Sequence, residues 1–158
     1  MIKTLHLKLP EHIRKFFMFE YDGYQKKNGN LEIKVDKNSE LGKLIHLISR
    51  PIPFTQKATK ASKETLSIRY YTHVQSFDVP ADKIVLLITL MDEMFRRTMI
   101  HEVRGAQELV GCDYGPLVTS FLKRRGIEKD VDVDWQKMRK VYRDYVRKTN
   151  RKIEKIYA

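Results

Sequence analysis

Nine Lys and Arg stand against two acids in the stretch after Asp134, "WQKMRKVYRDYVRKTNRKIEKIYA", and cations gathered this densely are suited to holding a polyanion. They are Lys137, Arg139, Lys140, Arg143, Arg147, Lys148, Arg151, Lys152 and Lys155; the acids are Asp144 and Glu154. The segment therefore carries +7 of the chain's formal +11. At helical spacing, Trp135, Met138, Tyr142, Tyr145, Val146, Thr149, Ile153 and Ile156 fall on one side and most of the cations on the other. A merely solvated face usually mixes signs, so that neighbours one turn apart attract. Here Arg143/Arg147 and Arg147/Arg151 repel, a cost that makes sense if an anion is the partner.

Other residues that could do chemistry form no recognisable set. His101 opens "HEVRG", but Gly105 stands where a zinc protease would need its second histidine. Cys112 is the chain's one cysteine and has no histidine near it in sequence, and there is no glycine-rich phosphate loop. Asp130, Asp132 and Asp134 alternate like the start of a calcium loop, yet Trp135 and Val141 occupy the places of its glycine and its bidentate glutamate. These acids suit a cap better, with Asp132 or Asp134 at the N-terminus of the basic helix. No cofactor is implied.

The segment "ELVGCDYGPLVTSFLKRRGI" resembles a helix-turn-helix, in which a short helix ends at a glycine turn and a second helix presents polar residues to a DNA groove. The resemblance places Gly111 in a turn one residue longer than usual, and Val118 with Phe121 or Leu122 inward. It leaves Tyr114, Thr119, Ser120, Lys123, Arg124 and Arg125 to face DNA. An ordinary helix-loop-helix connection with Gly115 in the loop is the alternative.

The elements that must position these residues can be read from periodicity. "IKTLHLKL" alternates as a strand, Pro10 and Glu11 suit the start of a helix to about Phe17, Asn28-Gly29 marks a turn, and "NLEIKV" alternates again. Asn38 or Ser39 caps a helix carrying Leu41, Leu44, Ile45 and Ile48, which Pro51 and Pro53 end. A basic loop with Lys57, Lys60 and Lys63 precedes the strand "TLSIRYYTHV". Asp78 and Pro80 then suit the start of a helix whose apolar stripe runs Ile84, Leu87, Ile88, Met91, Phe95, Met99 and Val103. Phe16, Phe17, Phe19, Tyr21, Tyr24, Arg69, Tyr70 and Tyr71 mix aromatic and basic character; core packing accounts for most of them, and stacking on single-stranded bases is a secondary use.

The expected architecture is α+β: a mixed α/β domain over residues 1–77 and a helical, basic, candidate nucleic-acid-binding region with a helix-turn-helix-like segment over 78–158. With 158 residues, 42% of them hydrophobic, and no internal repeat, the two parts can also form one compact unit. A single cysteine suits a reducing compartment, and "IVLLITLM" is too short to span a membrane, so a cytoplasmic protein is expected. The first-ranked function is duplex-DNA binding, DNA being favoured over RNA, in transcription regulation or as a replication or recombination accessory factor. Lys140, Arg143, Arg147 and Arg151 would hold phosphates, and Thr119, Ser120 or Arg124 would read bases. A structural or interaction component of a nucleoprotein assembly ranks second; a homodimer or a larger nucleoprotein assembly is the expected form of self-association. A metal-dependent nuclease ranks third.

Overall fold

A computed structural model describes residues 1–52, 60–62, 64–73 and 77–157. Of the expected basic loop, Lys57 and Lys63 lie outside the described residues, while Lys60 is exposed. The chain is α+β, with its strands in the N-terminal half and helices after them. It forms two compact units, Met1–Asp92 and Glu93–Ala158.

In the first unit, alternation produces β1 (Ile2–Lys8), β3 (Leu31–Lys34) and β5 (Thr65–Tyr71). A two-residue strand, β2 (Tyr24–Gln25), pairs with β3 around the Asn28-Gly29 turn, giving a sheet in the order β1-β5-β3-β2. All neighbours are antiparallel except β3 and β5, which run parallel and are separated in sequence by α2 (Glu40–Ile48). Leu5, Leu7, Ile33, Leu66 and Ile68 share one face by register and are buried, as are Ile13, Phe16 and Phe17 of α1 (Glu11–Glu20) and Leu41 and Ile45 of α2. These residues form the unit's core, and burying them is the main stabilising term.

The cap of α2 is Ser39, whose hydroxyl accepts from the Gly42 N–H at 3.1 Å. The short strands β4 (Arg50–Pro51) and β6 (Phe77–Asp78) pair antiparallel. Asp78, expected to cap the next helix, turns its carboxylate elsewhere: Oδ1 accepts from Tyr70 Oη and from the Val79 N–H, both at 2.9 Å. The helix α3 (Ala81–Val110) instead begins with the Pro80 carbonyl accepting from Ile84.

The second unit contains the C-terminal part of α3, α4 (Tyr114–Arg124) and α5 (Trp135–Tyr157). Its core is Phe95, Met99, Ile100, Val103, Val118, Phe121, Leu122, Ile127, Met138 and Tyr142. Phe95 and Phe121 rings lie 5.8 Å apart, and the Tyr114 ring lies 5.2 Å from that of Tyr142.

Candidate nucleic-acid interface

Two left-handed glycines set the ends of the short helix α4. Gly111, at φ 71°, returns its N–H to the Gln107 carbonyl and stops α3. Only Gly111, Cys112 and Asp113 separate the helices, and Gly115 is buried inside α4, not in a loop. Pro116 falls in the first helical turn, where its missing N–H costs nothing. At the other end Gly126, at φ 66°, bonds to the Lys123 carbonyl and Ile127 bonds to that of Leu122. This is a Schellman cap, and Ile127 is buried beneath it.

The expected site residues on α4 diverge in what they can offer. Ser120 and Lys123 are exposed. Thr119 is half-buried, and its hydroxyl donates to the Gly115 carbonyl at 3.3 Å. Arg124 is exposed but ion-pairs with Glu102. Arg125 is turned inward: its side chain is 7% exposed, it donates to Glu102 Oε2 at 3.0 Å, and its guanidinium lies 4.0 Å from the centre of the Phe121 ring. One carboxylate therefore holds two arginines of "KRR". Arg125 supports the helix and presents no charge to an outside ligand.

Before α5 the three alternating acids are occupied by the backbone. Asp134 Oδ1 accepts from the N–H groups of Gln136 and Lys137 at 2.9 and 3.3 Å, so Asp134 is the cap. Asp130, itself at φ 62°, accepts from Trp135 N–H, and Asp132 accepts from Glu128 N–H. Among the described residues no group of His, Cys, Asp or Glu is placed to hold a metal ion.

The apolar stripe of α5 docks over its first half. Met138 and Tyr142 are buried, and Tyr142 Oη donates to Gln107 Oε1 at 2.6 Å; burial raises its pKa above the ordinary value, so it remains a donor at neutral pH. Tyr145 Oη accepts from Arg104 at 3.4 Å. The stripe then runs out into solvent, with Ile153, Ile156 and Tyr157 exposed. Trp135, expected to begin the stripe, is half-buried between cations: Lys129 Nζ is 4.0 Å and the Arg139 guanidinium 4.7 Å from its ring. Arg139 is thus spent on Trp135 and Tyr114, and its place four residues after Trp135 was the sequence signal for that.

What remains on the opposite side of α5 is a row of exposed cations, Lys137, Lys140, Arg143, Arg147, Lys148, Arg151 and Lys155, with exposed Lys152 beside the apolar stripe. Among the described residues only Arg143 of this row has a carboxylate near it, Asp144 at 3.8 Å. From Lys137 to Lys155 the row extends about 27 Å along the helix axis. These side chains are open to solvent, whereas Arg124, Arg125 and Arg139 each engage a group of the fold. Among the described residues no helix is long and apolar enough to cross a membrane. Comparison of the chain with protein-family models, with curated proteins and with solved structures found no match.

Proposed function

We propose that this is a nucleic-acid-binding protein that takes duplex DNA on the outer face of α5, with Ser120 and Lys123 of α4 adding contacts. The observation that carries the reading is the exposed, almost acid-free row from Lys137 to Lys155. Charges of one sign along a helix repel, and that repulsion is relieved when phosphates replace water between them. Lys140, Arg143, Arg147 and Arg151 lie about one turn apart and hold phosphates; Ser120 is the side chain best exposed for a base edge, since Thr119 and Arg124 have partners within the fold. The role suited to such a surface is regulation of transcription, or an accessory task in replication or recombination.

A second reading, a component of a larger nucleoprotein assembly or a homodimer, draws support from Ile153, Ile156 and Tyr157, left exposed at the end of α5. The experiment that tests the first reading is duplex binding across a salt series. Four phosphate contacts predict a slope of log K against log salt of about −3.6. Replacing Arg143, Arg147 and Arg151 by Gln should weaken binding and reduce that slope by about 2.7; an unchanged slope would remove α5 from the interface.

A further inference from the structure

We propose that the outer face of the four-stranded sheet is a second, independent binding surface, for single-stranded nucleic acid. The side of the sheet opposite the core carries Thr4, His6 and Lys8 of β1, Ser67, Arg69 and Tyr71 of β5, Glu32 and Lys34 of β3, and Tyr24 of β2. Thr4, Lys8, Tyr24, Lys34 and Tyr71 are exposed. Phe16, Phe17 and Tyr70, by contrast, are buried in the core, so the structure separates the aromatics that pack there from Tyr24 and Tyr71, which remain accessible on the other face.

Each outward tyrosine has a lysine ammonium near its face, Lys34 at 5.6 Å from the centre of Tyr24 and Lys37 at 5.9 Å from that of Tyr71. The His73 ring meets Tyr71 edge-on at 5.0 Å. An exposed cation–π contact is worth less than a base stacked on an aromatic ring, so a base displaces either lysine, which is then placed to meet a phosphate. Two interstrand spacings and two same-face positions separate the tyrosines, which puts their backbones about 16 Å apart and assigns them to two different bases. Only an unpaired strand can turn two bases out onto a sheet; in a duplex the ring faces are already stacked.

The charge of the face agrees. Lys34 and Arg69 are cross-strand neighbours, a like-charged pair that disfavours the free sheet. Glu32, the fully buried carboxylate beneath them, is neutralised by Lys26 and Arg69 and accepts from Tyr24 Oη, and Lys8 pairs with Glu64 at 3.2 Å. The buried row of Glu32 and Ser67, with His6 Nδ1 2.8 Å from Ser67 Oγ, ties the strands together and anchors the Tyr24 ring. None of these residues belongs to the surface proposed for duplex DNA.

The test measures binding of the full chain to a short fluorescein-labelled oligothymidylate, an oligouridylate and a duplex by anisotropy; the first two separate DNA from RNA as the preferred single strand. Tyr71→Ala is expected to weaken single-strand binding roughly tenfold and to leave the duplex affinity unchanged. Tyr71→Phe, which keeps the ring, should bind single strands like the parent. The dependence on Tyr71 should persist in the variant with Arg143, Arg147 and Arg151 replaced by Gln. Parent-like single-strand binding by Tyr71→Ala, an equal loss on the duplex, or disappearance of the Tyr71 effect in that triple variant would each overturn the proposal. The duplex reading fails separately, through an unchanged salt slope.

Discussion

Glu102 decides which arginines after Phe121 can meet a ligand. It holds Arg124 at the surface and Arg125 beneath it, and the Arg125 guanidinium is buried enough that losing Glu102 removes its carboxylate from a nearly desolvated charge, which keeps the Phe121 carbonyl. Glu102→Ala should therefore cost about 1–3 kcal/mol in urea unfolding, while freeing Arg124 for an outside anion. A second carboxylate, Glu32, acts in the same way in the sheet. Burial alone would push its pKa up, but Lys26, the Tyr24 hydroxyl and Arg69 outweigh burial and hold it below the ordinary 4.5. His6 is also held below its ordinary 6.5, by burial and by Lys26. In both cases the folded state binds fewer protons than the unfolded chain once the pH falls below the ordinary value, so stability declines with acid. His6 contributes to the loss below about pH 6.5 and Glu32 below about pH 4.5. Glu32→Gln should be less stable at neutral pH and show a flatter decline below pH 4.5, read from urea midpoints across pH.

At the scale of elements, the N-terminus of α5 offers a direct check on its cap. Asp134→Ala leaves the Gln136 and Lys137 N–H groups without a side-chain acceptor and should cost about 1 kcal/mol of stability. Much of this architecture was legible because it is local. Alternation in "IKTLHLK" and "LEIK", a Ser before an apolar period at Leu41, and the two-sided pattern of α5 each encode their element within a few turns. The two-residue strands β2, β4 and β6 were not, because a period cannot show in two residues and their pairing is decided by distant partners. The cap of α3 was misplaced for a related reason: Asp78 suits a cap by type, but the Tyr70 hydroxyl competes for it. At the site the same division holds. The basic face of α5 could be read from spacing, whereas the withdrawal of Arg125 depends on Glu102, 23 residues away in sequence, and could not. Tyr24 and Tyr71 were visible as residue types, but the choice between core and surface required the register of the sheet.

Across the whole molecule, most of the net positive charge sits on the last helix, outside any ion pair among the described residues except Arg143 with Asp144. Several other cations of the second unit are used internally, Arg104 on Glu108 and Tyr145, Arg125 on Glu102, and, on α5 itself, Arg139 on aromatic rings. This difference in use, more than the total of +11, is what points to a polyanion. The measurement that tests it most directly is the salt dependence of duplex affinity for the parent and for the variant carrying Gln at 143, 147 and 151. A slope near −3.6 that falls in magnitude by about 2.7 in the variant is the predicted result. Equal affinities and equal slopes for the two proteins would contradict it.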